Sequence, residues 1–171
     1  MRPAPPRVTL AIMVHLRRLA EADWRTLREV RLATLADAPS AFGSTYADEA
    51  AFGEADWRGR LTQRTYFLAT DGPGGEPLGV AAGKRGDGEW TLHSMWVAPA
   101  ARGRGVAAKL IKAVTEEAVA HGAPKLVLQV AEANMGARRV YERHGFVATG
   151  EWETIPGMRR ERMVLSLPAR G

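Results

Sequence analysis

The 171-residue sequence contains no cysteine. A chain without cysteine has no disulfide, no thiolate nucleophile and no cysteine ligand for a metal. Its histidines at 15, 93, 121 and 144 show no metal-ligand spacing, so we expect no metal site. No apolar run reaches the roughly 20 residues that a membrane-spanning helix needs. The short apolar stretch at 8–14 lacks a small-residue cleavage site, which argues against a signal peptide. We therefore expect a cytoplasmic protein with no membrane association.

Charge of one sign is also not clustered anywhere along the chain. Lys and Arg number 24 against 19 Asp and Glu, giving a net charge of +5, and no basic run exceeds two residues. A nucleic-acid-binding surface would need a clustered basic patch, so we expect no nucleic-acid partner. A modest positive balance suits an anionic small molecule instead. The length and the 46% hydrophobic content predict one domain with a substantial core.

The most informative stretch runs from Trp90 to Ile111 and predicts a strand, a turn and a helix. Residues 90–97 are rich in strand formers, and Pro99 stops the strand because proline cannot donate to a sheet. Arg-Gly-Arg-Gly at 102–105 then precedes apolar residues at helical spacing. Glycines let the backbone approach an anion, and the first helical amides have no partner inside the helix. The helix dipole and two arginines add positive charge, so the pattern predicts a pyrophosphate-binding turn.

The longer pattern around this turn resembles motif A of the GNAT acyl-CoA N-acyltransferases. It reads Val-x-Pro, then Arg-x-x-Gly-x-Ala ending at Ala107. A second stretch starts at Asn134, has Tyr141 seven residues on, and ends in Gly-Phe. It resembles motif B of the same superfamily. The resemblance covers residues 8–167 in outline and is specific over 95–146. The Gly-x-Gly-x-x-Ala part also fits the dinucleotide fingerprint, so a nucleotide-dependent oxidoreductase stays an alternative.

Outside the motifs, the pattern predicts one domain over 8–167, with 1–7 as a disordered lead and 168–171 as a tail. Met13 is an alternative start. Strands are predicted at 8–17, 65–70, 78–83, 90–97, 125–130, 146–149 and 158–167. Helices are predicted from Asp23 as N-cap to about 37, at 46–64, at 105–122, and from Asn134 to Gly145. The βαβ unit should make the strands at 90–97 and 125–130 parallel. The resemblance implies an α+β GNAT fold: a mixed, mostly antiparallel sheet of six to seven strands with a splayed parallel pair, flanked by helices.

The resemblance also implies a cosubstrate, acetyl-CoA, and a set of residues that hold it without a metal. The pantetheine arm would pair with backbone groups on the splayed strand, and the pyrophosphate would lie on the amides that open the helix. Either Arg102 or Arg104 would contact phosphate, more through backbone than through guanidinium. Asn134 would reach the cofactor arm through its side-chain amide. The implied binding residues are Met95, Trp96, Val97, Arg102, Gly103, Arg104, Gly105, Val106, Ala107, Ala108 and Asn134.

The implied chemistry is direct attack of a neutral primary amine on the thioester carbonyl. Tyr141 is the implied general acid, because a tyrosine hydroxyl is matched in pKa to the departing thiol. The general base stays open. Some family members carry a glutamate where this chain has Thr91 or Gln129. His93, Glu132 and Glu49 are the other candidates, together with a water chain or an amine that arrives neutral.

The acceptor is predicted to be a primary amine of a small molecule or a peptide. Asp48, Glu49 and Glu54 could form an acidic rim that attracts a cationic acceptor, although a solvated helix face fits these residues as well. The missing glutamates leave a non-catalytic acyl-CoA-binding module as the alternative function. The chain is expected to be a monomer or a homodimer.

Overall fold

The computed structural model describes residues 13–169. The predicted lead at 1–7, the first part of the predicted strand at 8–12 and the last two residues of the predicted tail lie outside them. The elements follow one another as β1 Val14–Arg18, α1 Trp24–Asp37, α2 Tyr46–Ala50, α3 Glu54–Gln63, β2 Thr65–Asp71, β3 Pro77–Arg85, β4 Trp90–Val97, α4 Val106–Ala120, β5 Lys125–Ala131, α5 Met135–Arg143, β6 Val147–Ile155 and β7 Met158–Ser166.

Seven strands form one sheet in the order β1-β2-β3-β4-β5-β7-β6. Neighbouring strands are antiparallel except β4 and β5, which are parallel and joined by the α4 crossover. The parallel pairing covers only Trp90 with Leu126 and Thr91 with Val127. This arrangement confirms the predicted α+β fold with its splayed parallel pair. A mostly antiparallel sheet lacks the repeated parallel units of a Rossmann domain, so the dinucleotide-binding alternative is wrong.

Each face of the sheet has its own apolar layer. On one face, Val106, Leu110 and Val114 of α4 pack against a cluster that includes Leu126 of β5 and Met163 of β7. On the other face, residues of α1 and α3 pack with strand residues of β2 and β3, namely Leu27, Val30, Trp57, Tyr66, Leu68, Val80 and Ala82. Fully burying one such side chain contributes about 1.5–3 kcal/mol, so these two layers fix the helices to the sheet.

The helix predicted at 46–64 is wrong as a single element. The structure divides it into α2 and α3, with Gly53 between them. The Thr45 hydroxyl accepts a hydrogen bond from the Asp48 amide and begins α2, and the Asp56 carboxylate accepts one from the Gly53 amide and begins α3. Each side chain satisfies a backbone amide at a helix start.

Two further details differ from the sequence prediction. The Asp23 carboxylate makes no cap to α1 and instead accepts a hydrogen bond from the Ala20 amide at 2.7 Å, across a single 3-10 turn that the Asp23 amide closes on the Ala20 carbonyl. β6 extends to Ile155, well beyond the predicted 146–149, because a bulge that contains Gly150 (φ 78°) lets the strand continue. Among residues 13–169, no helix is long and apolar enough to cross a membrane.

Candidate active site

A bulge in β4 lies beside the place where the parallel pairing stops. Ala82 pairs with His93 and Val80 with Trp96, so Ser94 and Met95 face a single residue of β3. Ser94 has φ 55°, and in the part of the chain that the structure describes no other non-glycine residue has positive φ. A left-handed backbone at such a residue costs about 1–2 kcal/mol. Because pairing with β5 ends at Thr91, the backbone of 92–97 borders an opening in the sheet.

The turn between β4 and α4 presents a row of backbone amides. Gly103 and Gly105 have φ 77° and 79°, the left-handed region that favours glycine. Within residues 13–169, the amides of 103–108 donate no hydrogen bond to a protein group, and the first bond of the helix runs from the Lys109 amide to the Gly105 carbonyl. Unpartnered amides at the positive end of a helix dipole form an anion-binding site. The structure thus has the free donors that the sequence pattern predicts.

These features line one cavity of about 1080 Å³. Its walls come from the loop between α1 and α2, the end of β4, the first turn of α4, residues 131–134 and α5. Since α1 lies on one face of the sheet and α4 on the other, the cavity extends through the opening between β4 and β5. Tyr141 and the implied cofactor-binding residues all line it except Arg104, which is exposed on the turn.

Arg102 lines the cavity, and its guanidinium is held by protein groups. Its Nη2 donates to Oδ2 of Asp37 at 2.7 Å, and its Nε donates to the Val97 carbonyl at 3.1 Å. Nε1 of Trp96 donates to the same Asp37 oxygen at 2.9 Å. The end of α1 is therefore tied to both the strand and the turn that border the opening. No local pattern indicates the contact of Asp37 with Arg102, because the two residues are 65 positions apart.

Tyr141 and Asn134 lie on the α5 side of the cavity. Tyr141 is buried, its ring meets Phe146 edge-on at 5.8 Å, and burial raises the pKa of its hydroxyl. The hydroxyl therefore stays protonated at neutral pH and can act as a proton donor. Oδ1 of Asn134 accepts a hydrogen bond from the Ala137 amide at 3.1 Å and caps α5. That leaves its side-chain NH₂ group as the donor available to a ligand.

The acidic candidates for the general base are paired with arginines. Glu49 is fully buried between Arg31 and Arg60, and its Oε2 accepts from Nε of Arg31 at 2.7 Å. It is therefore unavailable as a base. The predicted acidic rim loses Glu49 to this burial, whereas Asp48 and Glu54 are exposed and Glu54 pairs with Arg58 at 2.7 Å. Glu132 is exposed and pairs with Arg159 at 3.0 Å.

His93 is the remaining titratable candidate, on β4 beside the opening. Burial, together with the positive charges of Arg64, Lys84, Arg160 and Arg31, lowers the pKa of its imidazole to about 4. The imidazole is therefore neutral at pH 7. His93 does not line the cavity, and neither do Thr91 and Gln129. Among residues 13–169, the one carboxylate that lines the cavity is that of Asp37, and it is bound to Arg102.

The chain matches the model of the Acetyltransferase (GNAT) family over residues 22–146, and it belongs to that family. Among solved structures, nourseothricin acetyltransferase is 28% identical over 62% of this chain and 66% of that one, with a TM-score of 0.57. A GNAT acetyltransferase of Streptococcus pneumoniae is 19% identical over 91% of this chain and all of that one (100%), with a TM-score of 0.73. YncA of Salmonella typhimurium, solved with acetyl-CoA, is 20% identical over 93% and 96% of the two chains, with a TM-score of 0.68. The last two similarities are of fold. The chain has no match among curated proteins.

Proposed function

We propose that this protein transfers the acetyl group of acetyl-CoA to a primary amine by direct attack. The observation that carries the proposal is the row of unpartnered amides at 103–108, which opens onto the same cavity as the gap between β4 and β5. A diphosphate fits the amides, and an extended arm fits the backbone edge of 92–97. The similarity to nourseothricin acetyltransferase and to a fold neighbour solved with acetyl-CoA supports the same ligand.

In the proposed reaction, the amine nitrogen bonds to the thioester carbonyl carbon and the carbon–sulfur bond then breaks. Backbone amides at the bulge of β4 are suited to stabilise the oxyanion that forms between these steps. The Tyr141 hydroxyl gives its proton to the departing thiolate and recovers one from solvent. The proton released by the amine passes to water or to a neutral group at the opening. The products are an N-acetylated amine and coenzyme A.

The proposed pyrophosphate site uses backbone more than guanidinium groups. Arg104 is exposed and Arg102 is already bonded to Asp37, whereas the amides of Gly103 and Gly105 are free. The Val97 carbonyl already accepts a hydrogen bond from Arg102. The backbone groups of Met95 and Trp96 are therefore the better candidates for pairing with the pantetheine arm.

Ligand-dependent melting and coenzyme A release test the proposal together. Acetyl-CoA at 100 times its dissociation constant should stabilise the protein by about 2.7 kcal/mol, and NAD(P) should not stabilise it. Coenzyme A release should then depend on an added amine, with the acetylated product seen by mass spectrometry. No stabilisation by acetyl-CoA would overturn the proposal.

A second candidate function is a non-catalytic acyl-CoA-binding module. The observation that favours it is that Thr91 and Gln129 stand where some family members carry a glutamate, while the Asp37 carboxylate that lines the cavity is bound to Arg102. Stabilisation by acetyl-CoA without coenzyme A release across a wide panel of amines would establish the module and exclude the transferase.

A further inference from the structure

The strand register places a row of polar residues on one face of the sheet. From β3 to β7, one line of pairs runs from Lys84 to Thr91, Val127 and Val164. Further along β5 and β7, Gln129 pairs with Arg162 and Ala131 pairs with Arg160. Paired residues share a face, and so do residues two positions apart on one strand. Four residues of this face, Lys84, His93, Arg160 and Arg162, are here called the basic stripe.

The basic stripe lies on the face that carries α1 and α3, in the part beyond their apolar contacts. Those helices pack on β2 and β3, whereas Gln129 of β5, between His93 and Arg162 in the sheet, is exposed. Thr91 and Val127 form the last parallel pair, so His93 and Gln129 are the next residues of this face on either side of the opening. The opposite face is filled by α4 and α5. An amine that reaches the opening from the stripe therefore passes over these groups.

Positive charge exceeds negative charge around the stripe. Glu89 pairs with both Arg162, at 2.7 Å, and Lys125, at 3.7 Å, so one carboxylate faces two cations. Glu49 likewise faces both Arg31 and Arg60. Arg160 is balanced by Glu153 at 2.8 Å. In residues 13–169, Lys84 and Arg64 form no ion pair with a carboxylate. Glu151 also acts on Arg162, yet cations still outnumber carboxylates around the stripe, because Glu89 and Glu49 each pair with two cations and Lys84 and Arg64 form no ion pair within the described part of the chain.

Two buried donors near the stripe also have no partner. The Arg31 side chain is 9% exposed, and its Nη1 has no hydrogen-bond partner among the described residues. Nε of Arg64 is in the same state. A buried donor left unpaired costs about 1–3 kcal/mol, more when it is charged. The cationic neighbours that act on His93 are Arg64, Lys84, Arg160 and Arg31, which places both arginines close to the stripe. This environment favours the binding of an anion and disfavours the binding of a further cation.

We propose that the amine acceptor carries a carboxylate, as a free amino acid does, and that the carboxylate is held at the basic stripe while the amine reaches the opening. The inference rests on the proposed function and adds the substrate class. It separates this protein from transferases of polycationic amines, since a polyamine would bring positive charge to a surface that already has an excess.

Matched acceptors test the substrate class. Free phenylalanine and phenylalaninamide, and free glycine and glycinamide, differ in the carboxylate alone. The amide has the less basic amine and hence the larger neutral fraction, so intrinsic reactivity favours the amide. We expect kcat/KM to favour the acid by about tenfold, the effect of one charge-assisted hydrogen bond, and the preference to shrink as salt is raised. Equal or faster acetylation of the amides would overturn the inference.

A matched pair of charge reversals locates the preference. Lys84→Glu changes the stripe, and Lys112→Glu makes the same change on the exposed side of α4, where Lys112 pairs only with Glu116 at 3.7 Å. The acid-over-amide ratio should fall about tenfold in Lys84→Glu and stay unchanged in Lys112→Glu, with KM for acetyl-CoA unaltered in both. Equal ratios in the two folded variants would overturn the stripe as the site. If Lys84→Glu fails to fold, the comparison of acids with amides in the parent protein decides whether the acceptor carries a carboxylate.

The two proposals fail in different ways. If acetyl-CoA neither stabilises the protein nor releases coenzyme A with any amine, the transferase proposal fails and the substrate class fails with it. If coenzyme A is released with amides or polyamines at least as fast as with amino acids, the transferase stands and the substrate class alone is wrong.

Discussion

Tyr141 is buried and lines the cavity. Substitution Tyr141→Phe keeps the ring contact with Phe146 and removes only the O–H group. General acid catalysis contributes about 10²–10⁴-fold, so we expect kcat to fall by about 10²-fold or more. The dissociation constant of acetyl-CoA should change less than about twofold, because packing is kept. Steady-state kinetics and a binding titration measure the two effects, and an equal loss in both would contradict the role of a proton donor.

His93 makes stability depend on pH in a defined direction. Its folded pKa, about 4, lies below the ordinary value of 6.5, so the unfolded chain takes up a proton first as pH falls. Stability from this group is complete above pH 6.5 and is lost as pH falls toward 4. We expect a loss of about 2 kcal/mol between pH 7.5 and pH 5.

Urea unfolding of the parent protein and of His93→Gln at the two pH values measures this effect. The variant should lose less stability than the parent over the same interval. His121→Gln removes an exposed imidazole and serves as the control. A parent and a His93→Gln variant with the same pH dependence would contradict the assignment.

Residues whose environment is set locally could be predicted from the sequence. Asn134 caps the helix that begins one residue later, and Gly105 has the positive φ that a turn before a helix requires. Long-range partners could not be predicted. Arg102 meets Asp37 across 65 positions, and Glu49 meets Arg31 across 18. Such pairs depend on how α1 is placed on the sheet, which no local pattern specifies.

At the scale of elements, the turn before α4 is a structural and a binding feature at once. Gly105 and Gly122 have φ 79° and 72°, and a Cβ at either position would meet nothing within 4 Å. Alanine should therefore cost each site the same backbone strain, about 1–2 kcal/mol. Only Gly105→Ala alters the backbone that would hold the diphosphate, so only this variant should raise KM for acetyl-CoA. Melting curves and kinetics of both variants test this, and a KM raised equally in Gly122→Ala would contradict it.

Helices and strands with a strong hydrophobic repeat were predicted with correct bounds. Elements whose ends depend on a break or a bulge in the repeat were not. The strand at 90–97 and the helix at 105–122 agree with β4 and α4 to within two residues. The division between α2 and α3 falls at Gly53, which the sequence marks only as a weak point within the helical region at 46–64. The extension of β6 was missed because its burial does not alternate: most of its residues are exposed.

At the scale of the whole molecule, one carboxylate joins three helices. Glu49 of α2 pairs with Arg31 of α1 and Arg60 of α3, and it is fully buried. Substitution Glu49→Gln would leave two cations without a counter-charge, and we expect a loss of about 3–5 kcal/mol in the free energy of unfolding. The matched control Glu54→Gln removes a carboxylate that pairs with Arg58 at the surface, where the loss should stay below about 1 kcal/mol. Similar urea midpoints for the two variants would contradict this difference.

The two-residue parallel pairing has a consequence for the sheet as a whole. β1 to β4 form one antiparallel unit and β5 to β7 form another, and their backbones meet only at Trp90 with Leu126 and Thr91 with Val127. An extended ligand in the gap would bond to the free strand edge and continue the ladder beyond that junction. While it remains bound, the substrate would serve as an additional strand, so that slowed amide exchange in β4 would report ligand occupancy and the joining of the two sheet units together.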